Sequence, residues 1–258
     1  MLGRQGPIAL ATLARPEALN AFRRATIAEL LGILAEARAD DSIRVLVITG
    51  VGRAFSAGAD LKEMAALFAG PDAVKAAREL VLSYQEVTRQ MVSLPKPIIA
   101  AVNGVAVGVG CELAVASDIR LAAETATFSL AEVRRGLFET NGVTYFLPRL
   151  IGASRAAEWM LTGRAVPAQE AREAGLVAVI YPPDHLLDAA LALADELAAN
   201  APISTGLVKR VLARSADLDL ESVMALEVDG MLEVAGSQDL QEGLRAFAEN
   251  RPPRYSGR

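Results

Sequence analysis

Continuous hydrophobic runs alternate along the chain with amphipathic helical patterns. Two of these runs, "SIRVLVITG" (Ser42–Gly50) and "PIIAAVNG" (Pro97–Gly104), are typical of strands buried on both faces. A further strand is predicted at Pro7–Leu13, and a long helix over about 71–92. Strands that alternate with helices predict an α/β protein whose strands pair largely in parallel. From Pro182 onward the pattern is wholly helical, so a helical appendage is expected at the end of the chain.

Composition and charge narrow the class of protein. The 258 residues are 52% hydrophobic and 22% charged, which suits one large globular domain, alone or with a smaller appendage. The net charge of −5 argues against a general nucleic-acid-binding surface. The apolar stretch Pro97–Ser117 has about the length of a membrane span, but its proline, asparagine, glycines and Glu112 favour a buried strand, a turn and a helix. We therefore expect no membrane segment, no secretory signal and a cytoplasmic location.

The rarity of cysteine and histidine limits the available chemistry. The chain has one cysteine, Cys111, and one histidine, His185, so an intrachain disulfide, a multi-histidine metal site and a histidine-based catalytic triad are not expected. Cys111 is interpreted as a core residue. The glycine-rich segments lack the spacing of nucleotide-phosphate loops, and no G-x-S-x-G motif is present. Acid–base chemistry must therefore come from carboxylates, Lys, Tyr or the backbone.

Two loops share one design. "SAGAD" (Ser56–Asp60) and "GVGCE" (Gly108–Glu112) each place small residues after a buried strand and before a helix. The first amides of a helix have no partner within it, and small residues let a ligand approach them. If the loops face each other, two N–H groups can point at one oxygen and form an oxyanion hole. Taken singly, each loop is better explained as an ordinary tight turn with a capping acid.

Two acids follow the same kind of turn. Glu112 is the only charged residue between Pro97 and Ser117, and Glu132 follows a strand-like segment in "FSLAEVRRG". An acid near a helix start is favoured by the helix dipole, so neither is unusual alone. Together with the two loops they would form a carboxylate pair beside an oxyanion hole. That equipment suits proton transfer at carbon next to a carbonyl.

Several ordered motifs resemble the crotonase family, the enoyl-CoA hydratase/isomerase superfamily. They include "LARPEALNAF", "AFSAGADLKEM", "SLPKPIIAAVNG", "TGRAVPAQEAREAGLV" and "SQDLQEGLRAFAENRPPR", and they cover nearly the whole chain. The resemblance implies an α/β spiral of ββα turns over residues 1–195, followed by a C-terminal helical trimerisation region over residues 196–258. It also implies a homotrimer or a dimer of trimers.

The resemblance further implies an acyl-CoA thioester substrate and the addition of water to a 2-enoyl-CoA. The thioester oxygen would accept hydrogen bonds from the amides of Ala59 and Val109, Glu112 would activate the water, and Glu132 would handle the proton at the α-carbon. Coenzyme A is part of the substrate, so no separate cofactor or metal is expected. Further contacts with the substrate are predicted for Arg23, Ala57, Gly58, Asp60, Leu61, Lys62, Gly108, Glu139 and Phe247. For the basic residues among them, a solvated surface position is the alternative.

The chain departs from the hydratase pattern at two places. Val109 stands where hydratases usually carry glycine, although the contact expected there is a backbone N–H. "GLFETNGVT" (Gly136–Thr144) replaces a stretch that is rich in proline and glycine, and Glu139 is then either a third acid in the pocket or a solvent-facing side chain. An acyl-CoA double-bond isomerase that uses Glu132 or Glu139 as a proton shuttle is therefore the nearest alternative. An acyl-CoA-binding protein without catalysis is a more distant one.

Overall fold

Ten strands form two sheets in the computed structural model, which describes all 258 residues. The strands are β1 (Leu2–Gln5), β2 (Ile8–Leu13), β3 (Val45–Gly50), β4 (Ala54–Ser56), β5 (Ile98–Val102), β6 (Val105–Val107), β7 (Ile119–Ala123), β8 (Thr127–Ser129), β9 (Val166–Pro167) and β10 (Val179–Tyr181). The larger sheet has the order β1-β2-β3-β5-β7-β10 and the smaller one β4-β6-β8-β9. Only β1–β2 and β8–β9 pair antiparallel.

Eleven helices surround the sheets. They are α1 (Arg24–Ala39), α2 (Leu61–Phe68), α3 (Ala73–Ser93), α4 (Val109–Ala116), α5 (Val143–Ile151), α6 (Ala153–Thr162), α7 (Ala168–Glu173), α8 (Leu186–Ala198), α9 (Pro202–Ser215), α10 (Leu220–Ala235) and α11 (Gln238–Ala248). Helix α8 packs on the larger sheet, so it belongs to the core of the molecule. None of the helices has both the length and the hydropathy that crossing a bilayer requires.

The chain repeats a ββα turn three times between residues 45 and 151. In each turn the first strand enters the larger sheet and the second enters the smaller sheet, as β3–β4, β5–β6 and β7–β8 do. Helices α2 and α3, α4, and α5 follow these pairs in that order. The predicted spiral of ββα turns, with helices at the C-terminal end, is confirmed.

The strongly apolar strands are confirmed, with shorter bounds than predicted. The run from Ser42 begins its strand only at Val45, and β5 is completely buried. Of the short strands in the smaller sheet, only β8 was predicted, as the strand-like segment that precedes Glu132. Residue 195 lies within α8, so the end of that helix at Ala198 is a better place for a boundary between core and helical region. The division into two regions itself stays a prediction.

Candidate active site

The two small-residue loops lie side by side. Strands β4 and β6 are parallel neighbours in the smaller sheet, and each loop leaves the carboxyl end of its strand and enters a helix, α2 or α4. Parallel neighbours bring such ends to the same edge of a sheet. The Cα of Gly58 lies 4.0 Å from the position that a Cβ on Gly108 would occupy. The predicted facing of the loops is therefore present in the fold.

The two residues at which the loops approach each other, Gly58 and Gly108, must both be glycine. Gly58 has φ +88° and Gly108 has φ +51°, a region that residues with a side chain rarely adopt. A Cβ on Gly58 would lie 2.6 Å from the carbonyl oxygen of Val107. A Cβ on Gly108 would lie 2.7 Å from Oε1 of Glu132, so the missing side chain at this position leaves room for that carboxyl group.

Two backbone amides are left without protein acceptors. Phe22 pairs with the first loop by accepting from the amide of Asp60 at 2.9 Å and donating to the carbonyl of Gly58 at 2.7 Å. The intervening amide of Ala59 has no backbone acceptor. Val109 is the first residue of α4, so its amide has no partner within the helix. Both residues line the same cavity.

Glu112 is held from behind by the segment that replaces the expected proline-and-glycine stretch. It is the fourth residue of α4, deeper in the helix than the sequence pattern indicated, and it is 1% exposed. Its Oε1 accepts from the amides of Thr140 at 2.9 Å and Asn141 at 3.4 Å. Its Oε2 has a single longer contact, 3.4 Å from the hydroxyl of Thr140.

Glu132 and Glu139 are supported much less than Glu112. Both side chains are buried, at 9% and 6% exposure, and both line the cavity. Oε2 of Glu132 and Oε1 of Glu139 have no hydrogen-bond partner. The alternative in which Glu139 faces solvent is therefore wrong: this residue is a third buried acid of the site.

Burial shifts the acids toward their protonated forms. It raises the pKa of Glu112 to about 7, and the charges of Glu132 and Glu139 act in the same direction. The amides of Thr140 and Asn141 oppose this rise. Burial also raises the pKa of Glu132, against the effects of its own amide and of Arg135. One acid thus titrates near neutral pH, where a general base is most effective.

The cavity in front of the loops has a volume of about 400 Å³ and mostly apolar walls. Helices α2 and α3 form one side of it, and the segment from residue 131 to residue 140 forms another. Besides the two loops, its lining includes Leu61, Met64, Phe68, Leu80, Tyr84, Gln85, Ala131, Arg135, Leu137, Phe138 and Thr140. Apolar walls with a few polar groups are typical of small-molecule sites.

The predicted site residues fall into two groups. Those that line the cavity are Ala57, Gly58, Ala59, Leu61, Gly108, Val109, Glu132 and Glu139, with Glu112 buried behind them. Those that lie outside it are Arg23, Asp60, Lys62 and Phe247.

The residues outside the cavity have other surroundings. Asp60 caps α2 by accepting from the amides of Lys62 and Glu63, and it pairs with Arg15 at 3.2 Å. Arg23 borders a different cavity, next to β2 and α1. Phe247 is 88% exposed on α11. The contacts of these side chains with a substrate stay predictions.

Two contacts that position the segment around Thr140 were not predicted from the sequence. Gln85 donates to the carbonyl of Thr140 at 3.2 Å, and Thr88 donates to the carbonyl of Asn141 at 3.2 Å. Both residues lie on α3, one turn apart on the same helix face. The carbonyl of Thr140 shares its peptide unit with the amide of Asn141, so α3 fixes one of the two peptide units whose amides hold Glu112 and also the unit that follows it. Only the three-residue spacing of two polar residues in an apolar helix face hints at this role.

Known proteins support the same family over the full length of the chain. The family model described as enoyl-CoA hydratase/isomerase matches residues 3–258. The 2,3-dehydroadipyl-CoA hydratase of Escherichia coli is 38% identical, with 100% of this chain and 98% of the relative covered. The 1,2-epoxyphenylacetyl-CoA isomerase of the same organism is 37% identical, with 96% and 94% covered.

A solved structure agrees with these relatives. The crystal structure of an enoyl-CoA hydratase from Bacillus anthracis superimposes with a TM-score of 0.95 at 36% identity, covering 100% of this chain and 99% of that one. At this identity and coverage the likeness extends beyond the fold. The chain belongs to the enoyl-CoA hydratase/isomerase family, the crotonase superfamily.

Proposed function

We propose that this protein is an enoyl-CoA hydratase, which adds water across the double bond of a 2-enoyl-CoA thioester. The observation that carries the proposal is the meeting of two buried carboxyl groups, Glu112 and Glu132, with two unpaired amides at one cavity. Full-length relatives named as hydratases, among them a short-chain-enoyl-CoA hydratase of Clostridium acetobutylicum at 33% identity, support it.

The amides of Ala59 and Val109 would bind the thioester oxygen. Attack of water at the β-carbon moves electron density onto that oxygen, and two fixed N–H donors stabilise the resulting enolate. The donors are backbone groups held by the bridge to Phe22 and by the start of α4, so the side chain of Val109 does not remove the contact.

The two acids would divide the proton transfers. Glu112, ionised near neutral pH, takes a proton from the water as its oxygen bonds to the β-carbon. Burial raises the pKa of Glu132 and so favours its protonated form, from which it would give a proton to the α-carbon as the enolate collapses. The amides of Thr140 and Asn141 hold one oxygen of Glu112, which leaves the other to accept from the water. After the reaction Glu112 releases its proton to solvent and Glu132 takes one up from solvent, so both acids return to their starting states.

The test follows the absorbance of the conjugated thioester after mixing the purified protein with crotonyl-CoA. The expected result is a loss of absorbance and a product heavier by one water, with activity reduced at least 100-fold in Glu132→Gln and in Glu112→Gln. Prior dialysis against EDTA should leave the rate unchanged, since we propose no metal or separate cofactor. Thermal stabilisation by acyl-CoA without any turnover would instead indicate a binding protein.

Double-bond isomerisation is the second candidate, and the buried position of Glu139 favours it. Shifting a double bond moves one proton between two carbons and needs no water at Glu112. The Glu112→Gln variant separates the two reactions, because it would retain much of an isomerase activity on a 3-enoyl-CoA while hydration collapses. A wild-type protein that isomerises 3-enoyl-CoA but does not hydrate crotonyl-CoA would overturn the hydratase proposal.

We also infer that the chain assembles as a homotrimer or as a dimer of trimers. Helix α10 exposes Leu220, Met224, Val228 and Met231, which share one face and are called the α10 stripe below. Contiguous exposed apolar surface of this kind marks an interaction site. Phe247, exposed on the adjacent α11, would then reach a substrate only in the cavity of a neighbouring copy.

A further inference from the structure

Glu139 has an unusual environment for a buried acid. Its side chain is 6% exposed, its Oε1 has no hydrogen-bond partner, and it lines the same cavity as Glu132. Glu112, in contrast, receives two backbone amides from the same segment of chain. Oε1 is fully enclosed, whereas the other carboxyl oxygen has no hydrogen-bond partner in the protein and is accessible from the cavity that Glu139 lines. Buried polar groups are nearly always hydrogen-bonded, so this second oxygen is left to bond with whatever fills the cavity.

The chemistry of the cavity limits what that group can be. A carboxylate oxygen only accepts hydrogen bonds, so its partner must be a donor. An ammonium group would have to be stripped of water among mostly apolar walls, at a large cost. An acyl group that ends in a carboxylate would meet the acid Glu139, with Arg135 as the only cation of the lining. A neutral hydroxyl meets neither obstacle.

We propose that Glu139 is a specificity-determining residue that accepts a hydrogen bond from a hydroxyl group on the acyl chain, beyond the reacting carbons. The proposal rests on the hydratase function stated above and names its substrate class: hydroxylated 2-enoyl-CoA esters. Dicarboxylic esters, such as the dehydroadipyl ester in the name of one relative, are disfavoured here because their terminal carboxylate would be repelled.

The backbone that carries Glu139 is rigid enough for such a role. The next peptide units are fixed by Gln85 and Thr88 of α3 and by Glu112, so the carboxyl group cannot swing out with a mobile loop. A fixed buried acceptor discriminates strongly, because a substrate without the donor leaves it unpaired. The expected preference is roughly 10- to 100-fold in kcat/KM.

The experiment compares three esters of equal chain length: 2-hexenoyl-CoA, 2,3-dehydroadipyl-CoA and a hydroxylated 2-hexenoyl-CoA tested with the hydroxyl on carbon 5 or carbon 6. Each is offered to the wild type, to Glu139→Met, which keeps the size and removes the polarity, and to Glu139→Gln, which removes only the charge. Glu124→Met, at an exposed acid outside the cavity, is the matched control. Circular dichroism confirms that each variant is folded.

The wild type should prefer at least one hydroxylated ester, and Glu139→Met should lower the ratio of kcat/KM for that ester to kcat/KM for 2-hexenoyl-CoA to about one. Glu139→Gln should improve the rate with 2,3-dehydroadipyl-CoA. An equal loss of activity on all esters in Glu139→Met would overturn the proposal and make Glu139 part of the proton transfer. A preference that survives in Glu139→Met would overturn it as well.

A binding measurement separates this proposal from the hydratase function. Calorimetry with hexanoyl-CoA and with its 5- and 6-hydroxy derivatives needs no turnover. Tighter binding of a hydroxylated ester by the wild type, lost in Glu139→Met, supports recognition by Glu139 even if no ester is hydrated. Equal binding of all three esters by the wild type overturns the recognition even if crotonyl-CoA is hydrated.

Discussion

At the scale of single residues, Glu112 combines deep burial with hydrogen bonds from two backbone amides. Burial disfavours its charge, the neighbouring acids add to that effect, and the amides of Thr140 and Asn141 partly offset it. The resulting pKa of about 7 lies above the ordinary value of 4.5, so the folded protein binds a proton there that the unfolded chain has already lost.

The first prediction concerns stability and pH. The contribution of Glu112 to stability is complete below about pH 4.5 and is lost as pH rises through about 7. From pH 5.5 to pH 8 this group should lower the free energy of unfolding by about 2 kcal/mol. Glu112→Gln lacks this loss and keeps the acceptor for the amide of Thr140. Urea unfolding of the wild type and of Glu112→Gln at both pH values measures this loss of stability. An identical pH dependence in the two proteins would refute its assignment to Glu112.

The second prediction concerns Gly108. In Gly108→Ala the new methyl group would displace Oε1 of Glu132 and strain a backbone with positive φ. We expect a stability loss of about 1 to 3 kcal/mol and a drop in kcat of at least 10-fold for the folded enzyme. Gly32→Ala, in α1 with nothing near its Cβ position, is the control and should retain activity. Unchanged kcat in Gly108→Ala would show that Glu132 tolerates displacement.

Some residues of the site can be located from the sequence, and others cannot, for physical reasons. The loops and Glu112 stand out because small residues and one acid interrupt apolar runs. The burial of Glu139 has no such signature, since the residues around it alternate in exposure without a regular period. Gln85 and Thr88 act through backbone carbonyls that are distant in sequence, and only the folded chain brings these groups together.

At the scale of elements, α3 works as a brace for the site. Its buried face packs on the core through Leu80, Tyr84, Val87 and Met91, and its polar pair reaches the segment from residue 136 to residue 142. That segment has no regular secondary structure beyond its first turn, and α3 and Glu112 supply all four backbone hydrogen bonds of Thr140 and Asn141. The orientation of the Glu112 carboxyl group thus depends on a helix that carries no acid of its own in the site.

The third prediction tests this brace. The double variant Gln85→Leu and Thr88→Val removes both hydrogen bonds with little change in size. Weaker support from the amides raises the pKa of Glu112, so the acid limb of the kcat profile should move to higher pH, and kcat should fall several-fold with little change in KM. A variant with Gln85→Leu and Thr88→Ser, which keeps the hydroxyl at position 88, should recover part of the wild-type kcat and pH profile. A lower yield of folded protein with an unshifted profile would mean that the pair is only structural.

The elements differ in how well the sequence predicts them. Strands β3 and β5 lie in the middle of the larger sheet, and burial on both faces gives them the continuous apolar runs that predict them. Strands β4, β6 and β8 have three residues each, too few for any period to appear. Strand β1 is a largely exposed edge strand of polar residues, so it lacks a hydrophobic signal.

At the scale of the whole molecule, the C-terminal helices leave an apolar surface uncovered. The α10 stripe faces outward, and Val208 and Leu212 on α9 add to the exposed apolar area. The core sheets are complete without this surface, because α8 already covers the larger sheet. Burying it therefore requires another molecule, and a further copy of the chain is the partner we infer.

The fourth prediction is the assembly state. Light scattering should give three or six times the chain mass of 27.2 kDa. The double variant Val228→Lys and Met231→Lys places two charges in the α10 stripe and should lower the mass toward that of one chain. Val74→Lys, at a valine on α3 that is even more exposed than Val228, should leave the assembly intact. A wild-type protein that runs as a monomer at micromolar concentration would refute the inference.

The segment from residue 136 to residue 142 unites two tasks in seven residues. Its backbone amides hold Glu112, the acid that would activate the water, and its side chain at position 139 lines the cavity that we propose binds the acyl group. Selectivity can therefore drift by point mutation, because a new side chain at 139 leaves the amides in place. An insertion or deletion here would disturb both tasks together. New substrate specificities in this protein should therefore arise, in evolution or by redesign in the laboratory, from exchanges of side chains on a loop of constant length.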